Sequence, residues 1–484
     1  INEVGNYGWN PLLVASCNNN TEKVELLMEY AKQNNILLAI NKKNNYGWNP
    51  IQYSIHNRNR KIVKLLIKYS IDNSIELDIK KEVEGMSFIK MALEDHDIEM
   101  VRLLRNYARI YDVALDLNGR ESDEAKECLF SYYFFNAKID MTTLLMESAS
   151  DNYVKLDINE KGKNGMFPLL WAIQNNEVEK IELLIRYASN KGILLAVDEK
   201  DNDAWFPLIY AIKNNRTEIT KLLMDYADDN NINLDINGKD SLGNNPLIYA
   251  IINENIDIIE LIMNYANVNR IILDINEKDG YGSFPIIRAI EKNNIDIVNL
   301  IIKYANINKI VININEKDQN GLSPLLYAIK INSTDIVKSI IDYTYTKSIY
   351  LNINENGWSP LLLAVKNNNF DIVNFIIEYA MYKNIFLNIN ENEEEYGWYP
   401  MLLAIKNNNI KMLKLLMESG DKFSIILNIN KKNKEKDYPL LVSIRNNNTE
   451  MVKTVLDYAK KYNVKVDING RDSSGLSPFL WAVH

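Results

Sequence analysis

The sequence predicts an α repeat solenoid of stacked helix-turn-helix units with projecting β-hairpin-like fingers, on three observations. Proline recurs at a nearly fixed step, glycine stands three residues before it, and the apolar residues that follow recur at helical spacing. The step is 39 residues from Pro207 to Pro246, Pro285 and Pro324, and stays between 36 and 40 from Pro11 to Pro478, with Phe88 and Cys128 standing in for proline. That makes a single solenoid over residues 1–484 of about thirteen units, the last incomplete and the fourth, about 118–157, degenerate. Each unit of such an array touches only its neighbours.

One unit, Asp274 to Ala305, sets the pattern. Asp274 to Gly282 is polar and rich in turn formers, which predicts a finger closing in a tight turn at Gly282. Pro285 opens a short helix, because its fixed φ and missing N–H cost nothing in a first helical turn. Ile286, Ala289 and Ile290 give that helix an apolar face, and Asn293 and Asn294 end it, since asparagine tolerates the left-handed conformation. In the second helix Ile295, Val298, Ile301, Ile302 and Ala305 follow the rhythm of a buried stripe, and it is expected to run to near Lys309. Neither helix buries its own face, so each unit needs neighbours. A small residue four places after the proline, as at Ala250, Ala289 and Ala328, marks close helix approach.

Gly321, Ser323, Pro324, Leu325 and Ala328, followed by Ile336, Val337 and Ile340, resemble the ankyrin repeat, G-x-T-P-L-H-x-A with a V-x-x-L-L helix. The resemblance recurs over essentially the whole chain. Three departures stand out. The usual Thr is replaced by Asn49, Ser323, Phe284 or Tyr399 and the usual His by Leu326 or Ile287, so local polar bracing is expected to be absent. Asparagine runs such as Asn367 to Asn369 and Asn407 to Asn409 replace the glycine between helices. The period exceeds the usual one of about 33 residues, which predicts a longer second helix. The resemblance implies a non-catalytic scaffold that binds a partner protein through a concave groove of fingers and inner helices. Two other readings stay open: a self-associating array, and a targeting module for an effector domain outside this segment.

No enzyme, cofactor or metal site is expected. His56, His96 and His484 with Cys17 and Cys128 make no metal-ligand spacing, and no phosphate loop or nucleophile elbow occurs. Acids such as Glu277 with Asp279 and Glu316 with Asp318 repeat in register, so they read as solvated finger ladders. A net charge of −9 gives no footprint for nucleic acid, and no apolar run is long enough for membrane insertion. Cys17 and Cys128, too far apart to bridge, fit a cytoplasmic location, with secretion left open. The sequons at Asn19, Asn215, Asn332 and Asn447 fall in the turn between helices and matter only in a secreted chain. The chain starts at Ile1 inside a finger and stops at His484 inside a first helix, as expected of a piece of a longer array.

Candidate binding residues are the aromatics. Trp9, Trp48, Trp205, Trp358 and Trp398 follow the turn glycine or its alanine substitute, and Tyr7, Tyr46, Tyr281 and Tyr396 precede it. The resemblance places these on the groove, where Trp and Tyr supply most binding energy; the alternative is that each Trp lies flat over the neighbouring finger. A second column, Tyr53, Trp171, Tyr210, Tyr249 and Tyr327, sits three residues after the proline position, near the groove floor or packed on the next inner helix. The tyrosines closing the second helix, such as Tyr265, Tyr304 and Tyr343, are assigned to the core between units. The fourth unit, Arg120 to Ala137, carries Phe130, Tyr132, Tyr133, Phe134 and Phe135 in place of the pattern, which reads as drift with a repacked core. Glu391, Glu393, Glu394 and Glu395 on one finger are expected to pair with Lys431, Lys432, Lys434 and Lys436 on the next.

Overall fold

A computed structural model describes residues 1–79, 92, 97–111, 115–116, 134–135, 139–150, 154–162, 165–354 and 359–483. Gly85, Phe88, His96, Cys128, Phe130, Tyr132, Tyr133, Gly357, Trp358 and His484 lie outside them. The chain forms two compact bodies, Ile1–Asp235 and Ile236–His484, each built from the same repeat of finger, short helix and long helix. Among the described residues the strands are one parallel pair, Leu115–Asp116 with Val154–Lys155.

In the repeat taken as pattern, the short helix is Pro285–Glu291 and the long helix Ile295–Ile307. Proline stands at the first helical position, as expected. The finger closes through Gly282, whose φ of 72° suits a residue without Cβ. Between the helices Asn293 is left-handed, and Asn294 caps the long helix by accepting from the Ile297 N–H at 3.2 Å. The long helix stops at Ile307, with Lys309 left-handed just beyond it.

The expected loss of polar bracing holds where the residue is aromatic, since Phe284 and Tyr399 make no side-chain cap bond, and needs correction where it is Asn or Ser. Asn49 accepts from the Gln52 N–H at 3.0 Å while Gln52 accepts from the Asn49 N–H at 2.6 Å, a reciprocal cap. Ser323 caps its helix through the Leu326 N–H. Where the residue is aromatic, as at Phe284 and Tyr399, the ring is buried, and the Tyr399 hydroxyl donates to the Asn428 carbonyl at 2.9 Å.

Short helices pack on short helices and long on long, as Pro285–Glu291 on Pro324–Lys330 and Ile295–Ile307 on Thr334–Lys347. Ile286, Ile287, Ala289 and Ile290 are all buried, so the short helix is enclosed on more than the one face expected. The buried stripe of the long helix is Ile297, Val298, Ile301, Tyr304 and Ala305. Ile295 and Ile302, expected in it, are half-buried, because at 3.6 residues per turn both fall on one edge of that stripe. Each fully buried aliphatic contributes about 1.5–3 kcal/mol.

Polar bonds set the register between repeats. Asn276 accepts from the Asn313 N–H at 2.9 Å and donates to the Val311 carbonyl at 2.7 Å. Asn237, Asn315, Asn390 and Asn430 repeat this pair of bonds in the C-terminal body, and Asn2, Asn41 and Asn159 in the N-terminal body. Asp198 takes the asparagine's place once; it accepts from the Asp235 N–H at 3.0 Å, has no amide to donate, and burial pushes its carboxyl above the usual range. The closing tyrosines stitch the same seam: Tyr304 and Tyr343 accept from the backbone N–H of Leu273 and Ile312 in the preceding repeat, at 3.1 and 2.8 Å.

Candidate functional site

The finger tip is fixed by a carboxylate that the sequence reading put in solvent. Asp318 is 6 % exposed. Its Oδ1 accepts from the N–H groups of Asn320 and Leu322 at 2.9 and 3.0 Å, and its Oδ2 from the Tyr327 hydroxyl at 2.8 Å. Burial alone would raise its pKa, but the hydrogen bonds from Leu322, Tyr327 and Asn320 outweigh it and hold the carboxyl below the usual range. The same burial, with the anion beside it, pushes the Tyr327 phenol up to about 12.

Other repeats vary the partner and keep the brace. Asp201 and Asp240 accept from Tyr210 and Tyr249 at 2.8 and 2.6 Å, and Asp279 from the Arg288 guanidinium at 2.7 Å. Glu393 holds its finger by accepting from the N–H groups of Glu395, Tyr396 and Trp398. In the second repeat Asn44 replaces the acid, accepting from Tyr46 and Trp48 N–H and donating to the Tyr53 hydroxyl at 2.8 Å. Asp279 and Asp318 are therefore braces and not solvated ladders, whereas Glu277 is exposed and pairs with Lys239 at 3.2 Å. The hydroxyls of Tyr210, Tyr249 and Tyr327 turn back to their own finger.

The expected pairing of the acidic and basic fingers is also corrected. Lys431 donates to the Asn392 side chain at 2.5 Å, Lys434 to the Glu394 carbonyl at 2.7 Å, and Lys432 pairs with Asp467 at 3.0 Å. The backbone brace has already engaged the Glu393 carboxylate.

The tip tyrosines Tyr7, Tyr46, Tyr281 and Tyr396 are exposed, Tyr46 by 68 %. The tryptophans divide. Trp205 and Trp398 are only 8 and 6 % exposed, each with an ammonium over its ring, Lys213 at 3.7 Å and Lys406 at 3.8 Å from the centroid. Neither is the exposed anchor that the spacing suggested. Trp9 and Trp48 are half-buried, and Tyr53 stacks on both, at 5.6 and 5.0 Å between ring centres. Their fingers are joined by the Asn45 N–H donating to the Tyr7 carbonyl at 2.8 Å, and approach so closely that a Cβ on Gly8 would lie 2.9 Å from the Asn44 Cα. Of the candidate residues the structure thus gathers Tyr7, Trp9, Tyr46, Trp48 and Tyr53 into one aromatic patch.

Trp171 belongs to a different cluster. Phe135 stacks on it at 5.1 Å, and the Lys180 ammonium lies 4.6 Å from its ring centre while donating to the Phe134 carbonyl at 2.9 Å. Lys180 is 2 % exposed, and burial pushes its pKa down. The sequence carried a signal for it: Lys180 stands in the column filled by Ile219, Ile258, Ile297 and Ile336, where a lysine breaks the apolar pattern.

Chemically, these features amount to rigid, backbone-braced tips that carry aromatic side chains. Among the described residues no group of three or more His, Cys, Asp and Glu is placed to hold a metal, and no helix is long and apolar enough to cross a membrane. Fold and tips define a helical-repeat scaffold. The chain matches the family model for ankyrin repeats in three copies over residues 1–76, 129–235, 186–272, 230–311, 286–389 and 351–426, and it belongs to the ankyrin-repeat family. Members of that family are generally protein–protein interaction modules. Among solved structures the chain is similar to the ankyrin repeat domain of Bcl-3, described as a unique member of the IkappaB protein family. The identity is 17 % and the TM-score 0.36, over 50 % of this chain and 94 % of that one. No curated protein matches.

Proposed function

We propose that the chain is a non-catalytic scaffold that docks a partner protein on its finger tips, with the patch of Tyr7, Trp9, Tyr46, Trp48 and Tyr53 as the principal contact. One observation carries this reading: these aromatics stay accessible on fingers whose backbones are already fixed by Asn44 and the contact at Gly8. Preformed tips lose little freedom on binding, so most of the gain from burying aromatic surface is kept. Within the C-terminal body Tyr281 and Tyr396 offer contacts of the same kind, each on a finger braced by an acid.

Affinity capture with the full chain, run beside a variant carrying Trp9→Ala and Trp48→Ala, tests the assignment. A protein held by the parent and released by the still-folded variant supports the patch. An unchanged captured set refutes it, and recovery of the bait's own chain alone would replace docking by self-association.

A further inference from the structure

A second surface lies where each long helix runs into the next finger. We propose that in Ile236–His484 these loops dock an acidic, extended peptide segment that presents an apolar side chain at every third residue. Ile272, Val311, Tyr350, Phe386 and Ile426 occupy one register position in consecutive repeats, and all are between 50 and 66 % exposed. The asparagine ladder establishes that register, because the carbonyl of each accepts from an asparagine amide of the preceding repeat. Val268, Ile307 and Tyr382, at the ends of the long helices, are exposed beside them in sequence.

The fold does not require apolar residues there. Glu76, Asn233 and Lys465 take the same position in other repeats, and the core is served by the following residue, buried at Leu273, Ile312, Leu351, Leu387 and Leu427. A run of exposed apolar side chains that packing does not need marks an interaction surface.

Charge identifies the occupant. The windows 268–274, 307–313, 346–352, 382–388 and 422–428 contain Arg270, Lys309, Lys347, Lys383 and Lys422 against a single acid, Asp274, in a chain whose net charge is −9. Lys383 lies 5.4 Å from the Tyr350 ring centre and 5.7 Å from that of Tyr382, so cation and apolar surface share one face. Packed helices stand about 8–10 Å apart, and a polyproline-II chain advances about 9 Å in three residues. One apolar side chain per repeat therefore matches one in three of the peptide. The ladder already occupies the loop carbonyls, so recognition runs through side chains and not through strand addition. An anionic bilayer would answer the same positive charge, and the vesicle arm of the test separates it from a peptide.

The test uses the full chain and a labelled peptide of five Glu-Leu-Pro repeats, followed by fluorescence anisotropy. Saturable binding is expected, weakening with salt, and about tenfold weaker for the Gln-Leu-Pro counterpart. A variant with Val311→Ser, Tyr350→Ser and Phe386→Ser should lose at least about tenfold in affinity. A second variant with Arg270→Gln, Lys309→Gln and Lys422→Gln should lose a similar factor, with its circular dichroism unchanged, while Leu26→Ser, at an exposed apolar residue of the other body, should bind as the parent does. Failure of the Glu-Leu-Pro peptide to bind, equal binding of the glutamine peptide, or full retention by both triple variants would overturn the proposal. So would stripe-dependent flotation with phosphatidylserine vesicles in the absence of peptide binding, which would reassign the surface to membranes.

Discussion

The finger bearing Trp398 and the finger bearing Trp48 carry the same residue two places before the proline and put it to different use. Lys406 sets its ammonium 3.8 Å from the Trp398 ring centre, and that indole is buried. In the other repeat His56 holds the equivalent place, meets Trp48 edge-on at 5.4 Å, and leaves the indole half-buried. A tryptophan at this position becomes core or surface according to a side chain on the adjoining short helix, and its own identity does not decide the matter.

The largest expected effect separates these two rings. Trp398→Ala should lower stability by about 3–5 kcal/mol, the range for a buried aromatic, and Trp48→Ala by less than half as much. Equal shifts in the thermal midpoint would break the comparison. Next comes the cap itself: Lys406→Gln should cost about 1–2 kcal/mol and shift Trp398 emission to the red, leaving Trp48 untouched. Steady emission would mean that neighbouring apolar side chains, and not the ammonium, keep the indole dry.

The braces offer a finer distinction. The Asp318 carboxyl is held below its usual range, so its contribution is full above the unfolded pKa and is lost as pH falls through the lowered folded value. Asp318→Asn should cost about 1 kcal/mol at neutral pH, and the gap from the parent should close in acid. Tyr327, pushed up to about 12, acts in the other direction, its contribution being intact below 10 and lost as pH rises toward 12. Asn44 carries no charge, so amide exchange in acid should quicken at Asn320 and Leu322 before it does at Tyr46 and Trp48. Simultaneous loosening would refute the charge assignment. Asp198→Asn should restore the missing donor of its rung and add about 1 kcal/mol, seen as slower exchange at Asp235. Smallest is Tyr46→Ser, within about 0.5 kcal/mol of the parent, although partner capture should fall.

The repeat, its proline-led short helix and its asparagine turns could be read directly, because each rests on local backbone chemistry. The brace was equally periodic but went unread. Asp279 and Arg288, or Asp318 and Tyr327, lie nine residues apart, a spacing that matches neither helix nor strand and has meaning only once the finger folds back on its helix. The burial of Trp205 was hidden for a related reason, since Lys213 comes from another element. The stripe from Ile272 to Ile426 is apolar, and composition does not tell it from core. Only the alternation with Leu273 and Leu427, fixed by the ladder, turns it outward.

The asparagine rung has a consequence for how such a gene changes. The Asn276 amide bonds to the main chain of its neighbour, the N–H of Asn313 and the carbonyl of Val311. Its bond is therefore indifferent to which side chains the neighbour carries. A repeat duplicated, deleted or exchanged in frame meets the same two atoms on arrival, so the array is free to lengthen and to shuffle its tips without a new joint being invented each time.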